Sequence, residues 1–411
     1  MSENTLVIIT SAYPFTDREL FIEKELEYHL KKFTKIILVP LRIDSERRPV
    51  PDNVEVFTDI CIKNSDTSFL GYLRKLARVL SSPYFYKEIF FSPKRVLNFK
   101  NLRYIIGFLS YALEGVHSLK KLITLRKELK HATFYSYWMH VHSCCLAILK
   151  QSYPKIKIVS RAHGYDIYEE DYSPPFIPLR KMTLSSIEKV FTVSENGKLY
   201  LEKRGVCGEK IEVSNLGVPS PNFKTNLSND GVFSLVSCAY LISLKRVDKI
   251  IDSVAKFAKN NPRITVKWNH LGGGELYQSL LEQAASDLPE NVAWKIHGEV
   301  SNEFVYEFYK DNSVDVFISI SASEGLPVSM MEALSCGIPI ISSNVGGVSE
   351  LVTEHTGSLL SENPECAEIV VALQYYLQNR GELVVKQNNA IELWKSKFDQ
   401  GKNYQNFVDQ L

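Results

Sequence analysis

Short apolar runs alternate with more polar, helix-like segments along the first two hundred residues. TLVIITS (5–11) and KIILVPL (35–41) are predicted strands, and ELFIEKELEYHLKKF (19–33) between them is a predicted helix. A strand, a helix and a second strand at this spacing indicate a parallel α/β sheet. The pattern returns later, and the further strands that it predicts are TFYSYW (133–138), KIKIVSRAHG (155–164) and KVFTVS (189–194).

A polar stretch, GVPSPNFKTNLSNDG (217–231), interrupts this pattern. Its proline, asparagine and serine residues favour turns, so we predict a linker over 219–231. The alternation then restarts, with predicted strands VFSLVSCAY (232–240), TVKWNHLG (265–272), VAWKIHG (292–298), VDVFISIS (314–321) and IPIISS (338–343). The sequence therefore predicts two doubly wound α/β domains, 1–218 and 232–388, followed by a helical segment over 389–411.

Composition narrows the class of protein. A chain of 411 residues favours two domains, and a net charge of +1 gives no overall attraction to nucleic acid. The seven cysteines are odd in number and scattered, which predicts free thiols in a reducing cytoplasm. The N-terminus lacks the basic segment of a signal peptide, and no apolar run reaches the roughly 18 residues of a membrane span. We therefore expect a cytoplasmic protein.

Two glutamates flank a predicted helix start in SEGLPVSMMEALSCG (323–337). The preceding run, VDVFISIS, is typical of a strand buried on both faces, and the Gly-Leu-Pro turn after it predicts the start of a helix. Glu324 is thereby placed at the carboxyl edge of the sheet, where open α/β sheets bind ligands. A helix start favours a diphosphate, whereas carboxylates such as Glu324 and Glu332 favour sugar or ribose hydroxyls. This combination predicts a nucleotide-sugar site; the alternative is a loop glutamate and a surface glutamate without a ligand.

EGLPVSMME, followed by ALSCGIPIISSNVGG (333–347), resembles the E-x7-E segment of retaining glycosyltransferases of family 4, which have the GT-B fold. The resemblance implies two Rossmann-like domains facing a cleft and a C-terminal helix that returns to the N-terminal domain. Other segments that resemble the family are RAHGYDIY (161–168), VFTVSENGKLYL (190–201), VSNLGV (213–218), AYLISLKRVDKII (239–251) and HLGGGEL (270–276).

The resemblance implies roles for the donor side of the site. Glu324 would contact the hydroxyls of the donor sugar, and Glu332 would hold the ribose diol. Lys245 would neutralise the diphosphate as the bond to the sugar breaks, which is stabilisation of transition-state charge. The other donor-binding candidates are Gly325, Leu326, Pro327, Val328, Arg246, Gly298 and Val300.

The N-terminal domain supplies the third catalytic candidate. By resemblance, His163 would lie beneath the donor sugar near the leaving phosphate, and its neighbours Arg161 and Asp166 are possible acceptor-side residues. The chain departs from the family at Ala239-Tyr240, where a Gly-Arg pair is usual. The diphosphate contact of that arginine is missing at this position, and Arg246 is the candidate substitute.

No D-x-D triplet occurs in the chain. Enzymes that hold a diphosphate through a metal need such carboxylates. Lys245 and the helix start supply positive charge instead, so we expect no obligatory metal and no cofactor. HVH (140–142) beside a pair of cysteines could be a zinc site, but a strand end that runs into a buried helix is the preferred interpretation.

The resulting hypothesis is a retaining glycosyltransferase of bacterial surface-polysaccharide or lipopolysaccharide synthesis, acting on a nucleotide-sugar and a glycan acceptor that is lipid-linked. One alternative is a catalytically inactive nucleotide-sugar-binding or chaperone subunit of a transferase complex, which Tyr240 favours. A second is a sugar-nucleotide epimerase. The presence of Lys245, Glu324, Glu332 and His163 together favours the transferase.

The segment from Arg74 to His131 has thirteen Lys and Arg residues and three acidic residues, with aromatic residues interleaved. Basic residues bind anionic lipid, and aromatic rings favour the membrane interface. We therefore expect peripheral binding to an anionic membrane surface, where a lipid-linked acceptor would lie. The alternative is a solvated basic face with its aromatic residues in the core.

Overall fold

The structure is a computed structural model that describes residues 4–16, 19, 21–58, 68–96, 98–229 and 231–411. It divides into two compact units. The first comprises Met1–Ser214 together with Tyr404–Leu411, and the second comprises Asn215–Asn403. Among the described residues, no helix combines the length and the apolar character that crossing a bilayer requires.

A parallel seven-stranded sheet forms the centre of the first unit. Its strands are β1 (Thr5–Thr10), β2 (Lys35–Pro40), β3 (Val54–Val56), β4 (Thr133–Ser136), β5 (Lys157–Ala162), β6 (Lys189–Thr192) and β7 (Ile211–Val213). The spatial order is β3-β2-β1-β4-β5-β6-β7. The helices of this unit are α1 (Phe21–Lys32), α2 (Phe69–Leu80), α3 (Pro83–Phe91), α4 (Pro93–Val96), α5 (Phe99–Leu125), α6 (Val141–Lys150), α7 (Arg180–Ser186) and α8 (Glu195–Lys203). All six residues of β1 are buried, as expected for a central parallel strand that is covered on both faces.

The second unit contains a parallel six-stranded sheet. Its strands are β8 (Val232–Cys238), β9 (Thr265–Leu271), β10 (Val292–Ile296), β11 (Val316–Ser319), β12 (Ile340–Ser343) and β13 (Gly357–Leu360), in the spatial order β10-β9-β8-β11-β12-β13. Its helices are α9 (Val247–Asn260), α10 (Tyr277–Asp287), α11 (Asn302–Asp311), α12 (Val328–Ser335), α13 (Cys366–Gln378) and α14 (Arg380–Leu393). A π-helical turn (Trp394–Phe398) and α15 (Gln400–Asp409) follow. Two doubly wound α/β units confirm the predicted fold class.

The C-terminal residues pack in the first unit, as the predicted fold class requires. Phe407 and Val408 are fully buried and share a core cluster with Leu6 and Ile8 of β1. Lys32 Nζ, at the end of α1, donates hydrogen bonds to Val408 O and to the next carbonyl, each at 2.9 Å. A basic side chain on the last carbonyls of a helix fixes the end of α15.

The stretch predicted as a linker belongs to the second unit and is hydrogen-bonded to other segments of it. Thr225 is buried, its N donates to Cys336 O at 2.9 Å, and Gln387 Nε2 donates to Thr225 O at 3.0 Å. Ser228 N donates to Asp315 Oδ1 at 3.0 Å. Polar residues of the stretch that predicted a linker are therefore hydrogen-bonded within the second unit. Their partners are distant in the sequence, so composition alone does not reveal them.

Candidate functional site

Two loops of the second unit meet where its strand order reverses. β8 and β11 are neighbours, with Val236 paired to Phe317, and each is followed by a loop at the same edge of the sheet. Ala322 N donates to Leu244 O at 2.8 Å, which joins the two loops. Because open parallel sheets bind ligands outside the carboxyl ends of their strands at such a reversal, this edge is the candidate site.

Lys245 and Glu324 form an ion pair at this edge. Lys245 Nζ lies 2.6 Å from Glu324 Oε1, and the two side chains retain 19% and 11% of their exposure. Lys245 ends a short 3-10 turn after β8, and Glu324 lies on the loop between β11 and α12. The structure therefore brings together two of the three predicted catalytic residues, which are 79 positions apart in the sequence.

The loop that carries Glu324 rests on the NVGG stretch (344–347) after β12. Gly347 N donates to Gly325 O at 2.9 Å. Gly346 has a φ of 53°, and a Cβ added there would lie 1.7 Å from Glu324 O. Only glycine combines this backbone conformation with so close an approach, so Gly346 fixes the position of the Glu324 loop.

Gly346→Ala is expected to lower turnover by about 10-fold or more, because the added methyl group must displace the backbone of Glu324, and a shift of about 1 Å at a reacting site is costly. The measurement is steady-state kinetics with a nucleotide-sugar donor. Gly205→Ala is the matched control: Gly205 also has a positive φ, 82°, but no atom lies within 4 Å of an added Cβ. A Gly346→Ala variant as active as Gly205→Ala would contradict the assigned role.

Helix α12 begins directly after the Glu324 loop. Pro327 precedes the first helical residue, Val328, with extended dihedrals, and no side chain caps the helix start. The first amides, including those of Ser329 and Met330, therefore lack intrahelical partners and carry partial positive charge. Gly337 follows α12 with a φ of 75°, the left-handed conformation that glycine often adopts just past a helix end. Pro327 is extended, so the helix starts one residue after it.

Glu332 lies in the interior of the second unit. Its side chain is 6% exposed, and its Oε1 accepts a hydrogen bond from Asn302 Nδ2 at 2.5 Å. The pKa of Tyr306 is raised well above its usual value, mainly by burial and also by the nearby charge of Glu332. Leu326, in the preceding loop, is also buried. The carboxylate of Glu332 is thus held in place by α11, whose first residue is Asn302.

Arg246 contacts the loop after β13. Its φ is 49°, and its Nη1 donates to Glu362 O at 3.4 Å. Tyr240, which stands where the family resemblance expects arginine, is 63% exposed. In this conformation Lys245 is the cation that is paired with the Glu324 loop.

Gly298 and Val300 lie on the loop after β10, next to the glycine-rich end of β9. Gly272 N donates to Gly298 O at 3.0 Å. A Cβ on Gly272 would lie 2.0 Å from Ala239 O, so this glycine lets the loops after β8 and β9 come together. Val300 is half-buried, and Gly298 has a φ of 76°.

His163 lies after β5 in the first unit, against two aromatic rings. Its ring centroid is 4.8 Å from that of Tyr137 and 4.5 Å from that of Trp138. His163 N donates to Asp166 Oδ1 at 2.6 Å, and Met139 N donates to Asp166 Oδ2 at 2.8 Å. Burial alone would raise the pKa of Asp166, but the contacts with His163 and Met139 outweigh it and lower that pKa. Asp166 is fully buried, so the structure makes it a positioning residue for His163 and leaves it no acceptor-facing surface.

Arg161 lies in the core and has no surface from which to contact an acceptor. It is fully buried, and its Nη1 lies 2.5 Å from Glu25 Oε2. Its Nη2 donates to Ser214 O at 3.2 Å, and its Cζ lies 4.4 Å from the ring of Phe407. Arg161 therefore belongs to the packing of the C-terminal residues and not to the candidate site.

Glu19 connects two loops of the first unit, and the sequence did not indicate this role. Its carboxylate accepts hydrogen bonds from the backbone amides of Ser11 at 3.1 Å and of Ala12 and Tyr13 at 2.8 Å, and from Trp138 Nε1 at 2.5 Å. It joins the loop after β1 to the residues after β4, at the reversal point of the first sheet. Its partners are backbone amides and the indole of a residue far away in the sequence, so no local sequence pattern predicts these contacts.

The HVH stretch is located as predicted, at a strand end that runs into a buried helix. α6 begins at Val141, and His142, Cys144 and Cys145 are buried in it. In the described part of the chain, no three His, Cys, Asp or Glu side chains are grouped so as to hold a metal ion. Burial lowers the pKa of His142 to about 3, so its ring is neutral at pH 7.

Residues 220–394 match the family model "Glycosyl transferases group 1". The chain is 26% identical over 220 residues to the putative colanic acid biosynthesis glycosyltransferase WcaL of Escherichia coli K12, covering 50% of this chain and 52% of that one. It is 32% identical over 167 residues to the O-antigen biosynthesis glycosyltransferase WbnH of Escherichia coli, covering 38% of this chain and 44% of that one. The chain thus spans about half the length of these curated relatives.

Solved structures of other proteins are similar to this chain over nearly its whole length. Anabaena HepE in complex with UDP and glucose is similar with a TM-score of 0.66 and 16% identity, over 99% of this chain and 98% of that one. The lipopolysaccharide outer core galactosyltransferase WaaB is similar with a TM-score of 0.69 and 14% identity, over 99% and 100%. These similarities show the fold, which is that of GT-B glycosyltransferases.

Proposed function

We propose that the chain is a retaining glycosyltransferase that moves a hexosyl group from a nucleotide-diphosphate sugar to a glycan acceptor in bacterial surface-polysaccharide synthesis. The observation that carries the proposal is the Lys245–Glu324 ion pair, which lies at the reversal point of the second sheet and directly before α12. Both residues fall within the range that matches the group 1 family. The names of the relatives, which include colanic acid and O-antigen glycosyltransferases, support the pathway.

The donor is assigned to the loops around this ion pair. The diphosphate binds the positive start of α12 and Lys245, because both favour an anion. Glu324 then accepts hydrogen bonds from the sugar hydroxyls. Glu332, unlike the fully buried Asp166, keeps 6% of its surface exposed, and through it accepts hydrogen bonds from the ribose. The main chain at Gly298 and Val300 contacts the base. A UDP-sugar is the first donor to test, since HepE was solved with UDP and glucose.

The transfer step needs no nucleophile from the protein. The acceptor hydroxyl attacks C1 of the sugar from the face that the diphosphate leaves, so the new C1–O bond forms as the bond between C1 and the phosphate oxygen breaks. The hydroxyl proton passes to the leaving phosphate oxygen. Lys245 stabilises the negative charge that develops on the diphosphate. For the first unit, we propose His163, held by Asp166, as a further catalytic residue.

A thermal-shift screen with UDP-, GDP- and ADP-sugars, followed by assay of free sugar, tests this function. One donor should raise the melting temperature, since a ligand at about 100 times its Kd stabilises by about 2.7 kcal/mol. The same donor should release free sugar slowly without acceptor. Binding without release would favour the inactive subunit that Tyr240 suggests, whereas conversion into an epimeric donor would identify an epimerase.

Activity is expected to survive excess EDTA. Lys245 and the start of α12 supply the positive charge that a metal would otherwise bring to the diphosphate, and the chain has no D-x-D triplet to hold one. The measurement is donor turnover with and without chelator. Complete loss of turnover that magnesium or manganese restores would contradict this prediction.

Helices α3 to α5 present a surface suited to an anionic membrane. Tyr86, Phe90, Phe91 and Phe99 are between 53% and 80% exposed, and Lys94 lies exposed among them. We expect sedimentation with anionic liposomes at low salt, weakening as salt rises, because exposed charges are screened and each basic residue contributes about 1 kcal/mol.

Phe90→Ser/Phe99→Ser should release the chain from these liposomes, since it removes the two most exposed rings of this surface. Val371→Ser is the control, because Val371 is an exposed apolar residue on α13 of the second unit. Equal sedimentation of both variants, or none of the unaltered chain at low salt, would contradict the membrane assignment.

A further inference from the structure

A cavity of about 550 Å³ opens beside α5 in the first unit. Its walls come from the first half of α5, from the residues around the start of α6 and from the loop before α7. The lining residues that matter below are Lys100, Arg103, Tyr104, Gly107, Phe108, Tyr111 and His140. Cavities of about 300–1,000 Å³ hold ligands of ordinary small-molecule size. The residues assigned above to donor binding and transfer do not line it.

Two residues that line this cavity have a buried polar atom without a hydrogen-bond partner among the described residues: Tyr104 OH and His140 Nε2. Tyr172 OH, on the residue before the lining residue Ser173, is also buried and without such a partner. The rings of His140 and Tyr172 are stacked, with centroids 5.5 Å apart and planes 9° apart. Burial lowers the pKa of His140 to about 4, so its ring is neutral at pH 7. Buried polar atoms in folded proteins are nearly always hydrogen-bonded, so two unpartnered atoms on residues that line one cavity indicate a polar ligand group.

Lys100 and Arg103 add positive charge at the cavity entrance. They lie three residues apart near the start of α5, which places them on the same helix face. Both are exposed, and neither side chain has an ion-pair partner in the described part of the chain. The first turn of α5 has no acidic residue, and the helix start itself is positive. Two adjacent cations at a helix start favour an anion with two neighbouring charges, such as a diphosphate.

A continuous row of aromatic rings connects this cavity to His163. The centroid of His140 is 5.8 Å from that of Tyr165, Tyr165 is 5.1 Å from Trp138, and Trp138 is 4.5 Å from His163. All four residues follow β4 or β5, which are neighbours in the first sheet. Aromatic faces of this kind provide a surface for sugar rings between the cavity and the residue assigned to transfer.

We propose that the cavity binds the diphosphate and the adjoining chain of a single-chain lipid diphosphate that carries the acceptor glycan. This inference rests on the proposed transferase function and defines its acceptor. Lys100 and Arg103 pair with the phosphates, and Tyr104 and His140 supply hydrogen bonds to phosphate oxygens. The apolar chain lies on Phe108 and the ring of Tyr111. A cavity of this volume accommodates one chain, which favours an isoprenoid over a two-chain phospholipid.

Calorimetric titration of the 411-residue chain with farnesyl diphosphate, without donor, tests the site. Farnesyl diphosphate should bind at least about 10-fold more tightly than farnesol or inorganic diphosphate, because only the first engages both the cations and the apolar wall. Equal affinity for inorganic diphosphate would overturn the lipid assignment. Equal affinity for farnesol would overturn the phosphate assignment, and equal affinity for dihexanoyl phosphatidic acid would overturn the single-chain assignment.

Gly107→Leu blocks the cavity without disturbing the fold. Gly107 is an exposed residue of α5 that lines the cavity, and no atom lies within 4 Å of a Cβ added there, so a leucine side chain can extend into the space of the cavity. Leucine also favours helix more than glycine does, so the melting temperature should not fall. We expect this variant to bind farnesyl diphosphate at least about 10-fold more weakly. Unchanged binding would overturn the proposal.

Lys100→Glu/Arg103→Glu should weaken binding to a similar extent, because it reverses both charges at the entrance. Lys120→Glu/Lys127→Glu is the matched control: it makes the same change in net charge at exposed positions farther along the chain. If both double variants weaken the binding of farnesyl diphosphate equally, the binding reflects a general attraction for anions, and the proposal is overturned.

These titrations separate the acceptor site from the transferase function. Tight binding of farnesyl diphosphate by a chain that binds no nucleotide-sugar would support the cavity and contradict the proposed function. Donor binding and sugar release without affinity for farnesyl diphosphate would support the function and overturn the cavity assignment.

Discussion

Replacing Lys245 with alanine is expected to lower turnover of the nucleotide-sugar by about 100-fold or more. One well-placed group that stabilises developing charge contributes about 10²- to 10³-fold to a rate, and Lys245 is the cation paired with the Glu324 loop beside α12. Glu324→Gln keeps the shape of the side chain but removes its charge, and we expect a loss of similar size. Both are measured as kcat with saturating donor, beside the melting temperature.

The control for this prediction is Lys256→Ala. Lys256 is an exposed residue of α9, so its removal should change neither turnover nor stability by much. Lys245→Ala leaves Glu324 unpaired in a mostly buried position, so some stability is lost with activity. Lys245→Met/Glu324→Gln removes both charges and should recover stability without recovering turnover. Near-normal turnover of Lys245→Ala would contradict the diphosphate assignment.

The position of Glu324 in the fold was predictable from the sequence because it depends on local signals. VDVFISIS predicts a buried strand, the Gly-Leu-Pro turn ends it, and Gly337 ends the following helix. Glu324 is therefore placed at the sheet edge by short-range signals alone. The pairing with Lys245 follows from strand order, since β8 and β11 become neighbours only when the sheet is doubly wound. The support from Gly346 was not predictable, because the sequence alone does not reveal its contact with Glu324 O.

Elements without a local pattern were missed. β3, β7 and β13 have three or four residues each, too few for an alternation of apolar and polar positions to be recognised. The prediction that Arg161 is an acceptor-side residue was wrong for a related reason. Arg161 follows an apolar run and precedes a histidine, which suggested a site residue, but its partner Glu25 is 136 positions away. A charge at a strand end has the same local sequence whether it faces a ligand or a buried carboxylate.

The ion pair of Arg161 is covered by the last helix of the chain. Burial alone would raise the pKa of Glu25, but Arg161 and His29 outweigh it and hold that pKa below its usual value. The unfolded chain therefore binds more protons than the folded chain as the pH falls below the usual glutamate value. The stability contributed by this pair is accordingly present at neutral pH and lost in acid. Phe407 and Tyr404 pack over the guanidinium and complete this cluster.

Phe407→Ala is expected to lower the free energy of unfolding of the first unit by about 3–5 kcal/mol, the range for emptying a buried aromatic site. Phe407 is fully buried, with ring centroids 5.0 Å from Phe191 and 5.3 Å from Tyr135, and it lies against Arg161. The loss is large against the roughly 5–15 kcal/mol that stabilises a typical domain. It is measured by urea unfolding followed by amide hydrogen exchange.

Hydrogen exchange locates the loss. β1, β4 and β6 should lose protection, because their side chains share the core cluster with Phe407, whereas β8 and β11 should keep theirs. Asn406→Ala is the control, since Asn406 is the exposed neighbour on the same helix and its removal should cost about 0.5 kcal/mol or less. A Phe407→Ala variant as stable as Asn406→Ala would mean that the C-terminal helix contributes no core to the first unit. Loss of protection in β8 instead would place that helix in the second unit.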